Sequence, residues 1–517
     1  MFNKNISNLF EDLIILDIAN NHMGDFNHFN NIIDKFSKKL KKFNDNGLKI
    51  AFKFQYRDLD TFIHRDFHDT NNNKYVKRFS ETKLSYEQYK EIQNKIKYNG
   101  FKTICTPFDE NSVTKIIDHN FDYIKIASAS VNDWPLLEKI SSYNKPIIFS
   151  VGGKNLNSID KVTSFFEHKG CDFAILYCVA IYPSENNELN LNKISFLKER
   201  YPDKIIGWST HEKPDELNPV SIAYSLGARV FERHIGLAEN NYKLNEYSSN
   251  EKQIESWLNN LISTKKILGN INFENNSSKE ISTLKSLQRG VFVNKNLDTK
   301  QTITSEDIYY AFPCNHDQIS TDLNIEGAII KNKITKDSPL MHSDVNLQND
   351  PDYFILKNAV YEVKALLNSA KVFLNSNFEI EYSHHYGMKN FLKYGTVLIN
   401  CFNREYAKKV IVQLPGQSHP LHYHKIKEET FQVIHGCLDL IIEDKIYTLN
   451  PGDIKLVQPG TWHGFKSNTG CVFEEISTKD YGNDSFYKDK EINSISKNVR
   501  KSLVNHWGRF EIKSTNY

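Results

Sequence analysis

The chain has 517 residues, of which 39% are apolar and 25% charged, and its 65 basic and 63 acidic residues leave a net charge of +2. With a mean hydropathy of −0.53, this is the composition of an ordinary soluble chain with material for about three domains. It excludes a disordered or collagen-like chain and argues against nucleic-acid binding through bulk positive charge. No run approaches the ~20 apolar residues of a membrane span. The start, MFNKNISNLFEDL, lacks the apolar core and cleavage site of a signal peptide. The 7 cysteines form no CxxC pair. Cys105, Cys178 and Cys401 read as small buried apolar residues in a reducing cytoplasm. The run Lys38 to Lys42 reads as a solvated helix face.

From residue 13 to about 268 one unit repeats, a short β-branched run followed by a charged segment of helical period. The runs are LIILDIA (13–19), LKIAFKFQ (48–55), FKTICTPF (101–108), FDYIKIAS (121–128), KPIIFSVG (145–152), DFAILYCV (172–179), KIIGWSTH (204–211) and RVFERHI (229–235). Amphipathic segments such as SYEQYKEIQNKIKY (85–98) lie between most of them. Eight such units in this length predict a (β/α)8 TIM barrel. An open doubly wound sheet is the alternative, and the GxGxxG turn that would favour it is missing after the first run.

Positions two apart on a strand share a face. Lys53 and Gln55 therefore pair, as do Ser209 and His211, and Glu232 and His234, all at carboxyl ends. Asn20 to His22, Thr106, Ser128 and Ser150 end strands too. That rim is where chemistry takes place in this fold. Lys53, Lys125 and the hydroxyls of Thr106, Ser128, Ser150 and Ser209 suit an anion, above all phosphate. His211 and His234 can bind a divalent metal with positions left open, and Asp17 and Glu232 supply carboxylates nearby. The expectation is metal-assisted chemistry on a phosphorylated small molecule.

LDIANNHMGD, KFQ, TPFD, IKIASASVNDWPLL, YCVAIYPSE, GWSTHE and FERHI occur in that order. They resemble the motifs of the sialic acid synthase family over roughly residues 13–345. The match includes SLQRGVFVNKNLDTKQTITSEDIYYAFP, similar to that family's antifreeze-like (SAF) domain. The resemblance implies condensation of phosphoenolpyruvate (PEP) with a sugar aldehyde. It implies His211 and His234 as ligands of Mn2+ or another divalent metal. It also implies Lys53, Thr106, Lys125, Ser128, Ser150 and Ser209 at PEP, Gln55 and Tyr182 at the acceptor, and Asp17, His22 and Glu232 among the catalytic groups. The chain departs from the family at the acceptor: Asp17 stands for Glu, Ser130 for Glu, Asn245 for Asp, and Phe312 for the Arg of the SAF domain. These changes imply an aldose other than N-acetylmannosamine. The resemblance further implies a homodimer in which the SAF domain covers the partner's barrel; a domain that stays on its own barrel is the alternative.

After Pro351, short runs separated by LPGQ, NPGD and QPGTW predict an all-β barrel. His422 and His424 share a strand face, and Glu429 and His463 complete a donor set suited to a divalent transition metal. With Gly416, Gly436, Gly452, Pro459 and Gly460 these residues resemble both cupin motifs. EYSHHYGMKNFLKYG, the stretch from Asn403 to Val433, and VFEEIST are similar to D-lyxose isomerase-type cupins. That implies aldose–ketose isomerisation with Glu474 or Glu475 moving the proton, only one of which can face inward. Lys408, Lys409 and Lys427 are helpers or plain surface lysines. A sugar-binding cupin without turnover is the alternative. The expected division is 1–275 barrel, 283–346 SAF domain, 347–369 linker and 370–517 cupin. The expected function is a cytoplasmic synthase of a nonulosonic, 3-deoxy-2-keto sugar acid, using PEP and an aldose, with neither nucleic acid nor membrane as partner. An octulosonate-type synthase and a catalytically silent sugar-binding protein are the alternatives.

Overall fold

The computed structural model describes residues 9–68, 73–239, 242–271, 276–347, 352–374, 378–496 and 499–504. Pro351, read above as a boundary, lies outside them. The chain divides into two compact units, Met1–Asn272 and Phe273–Tyr517.

In the first unit all eight expected strands form: β1 (Leu13–Asp17), β2 (Lys49–Tyr56), β3 (Lys102–Pro107), β4 (Tyr123–Ile126), β5 (Ile147–Ser150), β6 (Phe173–Cys178), β7 (Ile205–Thr210) and β8 (Val230–His234). They close into a parallel barrel in sequence order, β8 returning to β1. Asp17 on β1 lies opposite both Lys53 and His234, and Ser209 lies opposite Glu232. Helices follow the strands because apolar residues recur every three or four positions between good caps. In Phe26–Asp45, the side chain of Asp25 accepts from the N–H groups of Asn27 and His28, and Phe29, Ile32, Ile33, Phe36, Leu40 and Phe43 are buried. Lys38, Lys41 and Lys42 face solvent, as expected. Ser85 and Gln88 form a capping box that starts Tyr86–Tyr98.

One face of each strand packs against the helices. The other fills the barrel in two tiers. The lower tier is apolar and includes Leu13, Ile15, Ala51, Ile104, Ile148, Leu176 and Val230. Gly207 belongs to it by necessity: a Cβ there would stand 2.3 Å from the Val230 carbonyl oxygen and 2.4 Å from Leu176. The upper tier is polar and is the site described below.

The second unit begins with a small module whose strands Gly290–Val293 and Ile308–Ala311 pair, as do Ile329–Ile330 and Val345–Asn346. It has its own core around Val291, Ile303, Ile319, Ile330 and Leu340. Phe312 is exposed. The segment expected to be a linker is a helix, Asp352–Ser369. Leu356, Val360, Val363 and Leu367 recur at helical spacing and pack with Ile380, Val397 and Val412 of the strands that follow. Its apolar stripe, set against those strands, outweighs the boundary signal before it.

Two antiparallel sheets complete the unit. The larger includes Glu379–His384, Gly395–Asn403, Tyr406–Gln413, Glu429–Gly436 and Cys471–Thr478; the smaller includes Ser418–Tyr423, Leu438–Ile442 and His463–Lys466. Phe431, Phe473 and Ile411 of one sheet pack with Phe465, Leu438 and Leu440 of the other. Gly436 turns with φ +80°, where a Cβ would meet the Gly470 carbonyl oxygen at 2.2 Å. All seven cysteines are free; Cys105 and Cys178 are buried as expected, and Cys401 is only half-buried. Among the described residues no helix is long and apolar enough to cross a membrane.

Candidate active site and metal centre

At the carboxyl end of the barrel the inward residues form one buried charge network. The Lys53 ammonium stands 2.9 Å from Asp17 Oδ2 and 3.1 Å from Glu232 Oε1. Lys125 Nζ stands 3.7 Å from Glu232 Oε2 and donates to Ser150 Oγ at 2.6 Å. Ser209 donates to Glu232 at 2.9 Å. Burial opposes charge on Lys53, but Asp17 and Glu232 more than offset it and hold its pKa above the usual lysine value. For Lys125 burial prevails, reinforced by Lys53 and only partly offset by Glu232, and the pKa falls to about 8. Burial also resists ionisation of Glu232, yet the two ammonium groups keep its carboxyl below the usual range. Thr106 Oγ1 is buried with no hydrogen-bond partner. Ser128 Oγ accepts from the Gly152 N–H at 2.9 Å. A buried network of this cost is held for a purpose other than packing.

His211 and His234 flank this tier, their rings 5.4 Å apart. His211 Nδ1 faces the Val179 carbonyl oxygen at 2.6 Å, which fixes the proton there and leaves Nε2 as a free lone pair. Burial, with His234 beside it, lowers the His211 pKa to about 3; burial lowers that of His234 too. Both are therefore neutral imidazoles fit to be ligands. His234 Nδ1 lies 3.2 Å from Asp17 Oδ2. Tyr182 lies over His211 at 4.1 Å, and Tyr247 stands 5.2 Å from both Tyr182 and His234.

Other expected site residues line the rim. Gln55 Oε1 accepts from Arg57 at 2.9 Å. Asn245 donates to Asn21 at 3.2 Å, bracing the loop after β8 against that after β1. His22 does not join the network. Its nitrogens face the Gly24 N–H and the Tyr89 hydroxyl, and its ring stacks on Phe29. It is a wall residue, because the chain has already turned away from the barrel axis after β1. The sequence reading also passed over Arg233 and Glu212. They are a fully buried ion pair, and Arg233 Nε donates to Ser249 at 2.7 Å. Each adjoins a histidine, and the pair ties the ends of β7 and β8 together. Period two carries the signal, since Arg233 points away from the face of Glu232 and His234.

The second centre is in the C-terminal sheets. His422, His424, Glu429 and His463 are buried, and their ligand atoms all lie within 4.8 Å of one another. Among the described residues this is the one group of three or more such atoms; the barrel histidines remain a pair. Nδ1 of His422, His424 and His463 faces the carbonyl oxygens of Pro420, Asp484 and Thr461 at 3.1, 2.7 and 3.0 Å. That arrangement turns each Nε2 toward the centre, where Nε2 of His424 and His463 is buried without a hydrogen bond. Three imidazoles and a carboxylate fit a divalent transition metal. Burial resists charge on Glu429, but the Lys427 ammonium at 2.5 Å holds its carboxyl well below the usual range.

Glu475 is the inward member of its pair. It lies 3.1 Å from Lys427 and 3.4 Å from Lys409, while Glu474 turns outward to Lys408 at 2.8 Å. Lys427 is buried and Lys409 mostly so, which corrects their reading as surface lysines. Asp484 accepts from the N–H groups of Lys425, Ile426 and Lys427, at 2.9, 3.0 and 2.9 Å, and shapes the turn that presents His424.

The sequence profile of the NeuB family matches residues 46–272, and that of the cupin domain matches residues 410–474. N-acetylneuraminate-9-phosphate synthase of Mus musculus is 29% identical over 231 residues, 43% of this chain and 62% of that protein. N,N'-diacetyllegionaminic acid synthase of Campylobacter jejuni is 27% identical over 234 residues, 44% of this chain and 68% of that one. The chain thus spans about three fifths of the length of the mouse relative. A crystal structure named for spore coat polysaccharide biosynthesis protein E of Chromobacterium violaceum is 40% identical, with a TM-score of 0.63 over 65% of this chain and 99% of that one. At that identity over nearly all of a solved relative, and with the family profile matching through the barrel, the chain belongs to the NeuB family and carries a cupin domain behind its barrel.

Proposed function

We propose that the barrel condenses PEP with the aldehyde of a sugar, giving a nonulosonic 3-deoxy-2-keto acid and inorganic phosphate. The observation that carries this reading is the buried network of Lys53, Lys125, Asp17 and Glu232, with Thr106, Ser150 and Ser209 around it. The names of two relatives, an N-acetylneuraminate-9-phosphate synthase and an N,N'-diacetyllegionaminic acid synthase, support it. Lys53 and Lys125 hold the phosphate and carboxylate of PEP. Asp17 and Glu232 keep the ammonium groups oriented. C3 of PEP bonds to the aldehyde carbon, whose oxygen takes up a proton and becomes a hydroxyl. Water adds at C2, the C2–O bond to phosphate breaks, and a ketone remains at C2. The charge that leaves with phosphate is met by the two lysines. His211 and His234 would hold Mn2+ or another divalent ion, which when bound polarises the aldehyde carbonyl.

Gln55, Tyr182 and Asn245 border the acceptor. With Asp17, Ser130 and Asn245 at positions where the family carries Glu, Glu and Asp, we assign an aldose without the N-acetyl group. The module of residues 290–346 fits the role of a SAF domain that covers the barrel of a second subunit.

PEP binding tests the reading. Calorimetry is expected to show PEP binding to the wild type and its loss in Lys125→Met; a wild type that does not bind PEP overturns the synthase. A pH signature accompanies it. The free enzyme loses the Lys125 charge as pH rises through about 8, so kcat/KM for PEP is expected to fall there. Lys125→Arg should move that fall beyond about pH 9, since a guanidinium keeps its proton. An unmoved profile would assign the fall to another group.

For the cupin, the inward Glu475 favours an aldose–ketose isomerase. His422, His424, Glu429 and His463 would hold the metal, and Glu475 would move the proton between C1 and C2 of the sugar. Glu475→Gln is expected to abolish exchange of solvent deuterium into the sugar, whereas Glu474→Gln leaves it within about threefold, as an outward substitution should. Sugar binding without exchange in the wild type would make the cupin a binding domain.

A further inference from the structure

Lys53, Gln55 and Arg57 succeed one another at every second position of β2 and its extension. At about 3.3 Å per residue, Arg57 stands roughly 13 Å further along the chain than Lys53. Nothing in the proposed reaction uses it. Its guanidinium is sandwiched between Phe79 at 4.1 Å and Phe108 at 3.8 Å, and Nη2 donates to Gln55 Oε1. Nε is buried without a hydrogen bond. Among the described residues no carboxylate pairs with Arg57, although a buried cation ordinarily requires one. Burial lowers its pKa to about 10, and the charges of Asp17 and Asp109, which form no ion pair with it, offset this only in part.

Arg57 lines a cavity of about 280 Å3 that also takes in Asn20, Gln55, Lys83 and Tyr89. The helix Lys74–Glu81 supplies Phe79 to one wall of this cavity. Acids at the cavity have other partners. Asp58 accepts from Asn111 at 2.8 Å, Asp60 faces Lys83 at 4.0 Å, and Glu87 is held at the start of its own helix. The cavity therefore presents a rigidly held guanidinium without a paired carboxylate, next to the Gln55 side of the acceptor site. A planar guanidinium fixed between two rings is well suited to receive an oxyanion through paired hydrogen bonds.

We propose that Arg57 binds an anionic group on the end of the acceptor remote from its aldehyde, either a phosphate monoester or a carboxylate. The identity of the acceptor rests on the synthase reading; the anion site does not.

The test measures binding of mannose, mannose 6-phosphate and mannuronate to the full-length protein by calorimetry, and phosphate release from PEP with each sugar. The wild type is expected to prefer one of the two anionic sugars over mannose by about 10–100-fold, the strength of a charge-assisted pair. Which one it prefers distinguishes phosphate from carboxylate. Arg57→Met is expected to remove most of that preference, and Arg57→Lys to restore part of it. If Arg57→Met does not fold, Arg57→Lys decides the matter, since it keeps the charge without the paired donors and should lower the preference measurably. No preference in the wild type, or one unchanged in these variants, overturns the proposal and leaves Arg57 a packing residue. Phosphate release with mannose alone, without an Arg57-dependent preference, retains the synthase and discards the anion site. An Arg57-dependent preference without release from PEP retains the anion site, and the synthase is then discarded only if the wild type also fails to bind PEP.

Discussion

Lys53→Met is expected to abolish phosphate release and to destabilise the barrel at the same time. Lys53 is buried and is the only cation in contact with both Asp17 and Glu232 among the described residues. Removing it leaves Asp17 without a lysine partner and Glu232 with Lys125 alone, at 3.7 Å. Breaking a buried ionic group from one side costs about 3–5 kcal/mol. Loss of a charge that meets the leaving phosphate should lower turnover by roughly 10²–10³-fold or more. Urea unfolding and a phosphate assay read the two effects separately. The coupling has a further signature, because Lys53→Met with Glu232→Gln should be less destabilised than the sum of the single variants. Acid supplies another. The wild-type Glu232 carboxyl is held below its usual range, so its contribution to stability is present above about pH 4.5 and is lost as pH falls below that. Lys38→Met on the solvated helix face should stay within about 0.5 kcal/mol of wild type. A Lys53→Met protein as stable as that control would mean that the network does not hold the barrel together.

Stripping the C-terminal centre of its metal is expected to lower the melting temperature of that unit by roughly 10 °C. The Nε2 atoms of His424 and His463 are buried with no hydrogen bond, and Glu429 stands between them. A metal bound at about a thousandfold excess over its Kd stabilises the folded unit by about 4 kcal/mol. For a unit of this size each kcal/mol shifts melting by about 2–4 °C. Chelator should therefore lower the wild-type transition markedly. His424→Ala should melt low whether metal is present or not, and elemental analysis should find it with less metal. Equal melting of the two proteins in saturating metal would show that the four residues are a packed polar cluster.

Much of the barrel is legible in the chain because its inward positions carry polar residues only at the carboxyl ends of strands. Lys53, Lys125, Ser209 and Glu232 stand out against β-branched runs, and the alternation places them on one face. The cupin donors are legible for a similar reason, since His422, His424, Glu429 and His463 have a spacing that packing does not require. The remainder depended on tertiary pairing. Glu474 and Glu475 are the same residue type, and only the register of Cys471–Thr478 against Tyr406–Gln413, which sets Glu475 beside Lys409, decides which one faces inward. Lys427 is buried by the two carboxylates it meets, not by its own sequence neighbours. His22 ends a strand motif but lies past the turn, so strand alternation no longer governs it. Helix Asp352–Ser369 was masked by the proline before it, and its apolar stripe has meaning only against the sheet it covers. Arg57 was available to the same period-two argument that selected Lys53 and Gln55, carried one step further.

Phosphate release from PEP in the presence of Mn2+, across a panel of aldoses and their phosphates and with His211→Ala beside the wild type, tests the synthase most directly. Stoichiometric phosphate and a new 3-deoxy-2-keto acid are expected with at least one aldose, both lost in the variant. No release with any aldose from folded, metal-loaded protein that also fails to bind PEP would contradict the synthase reading.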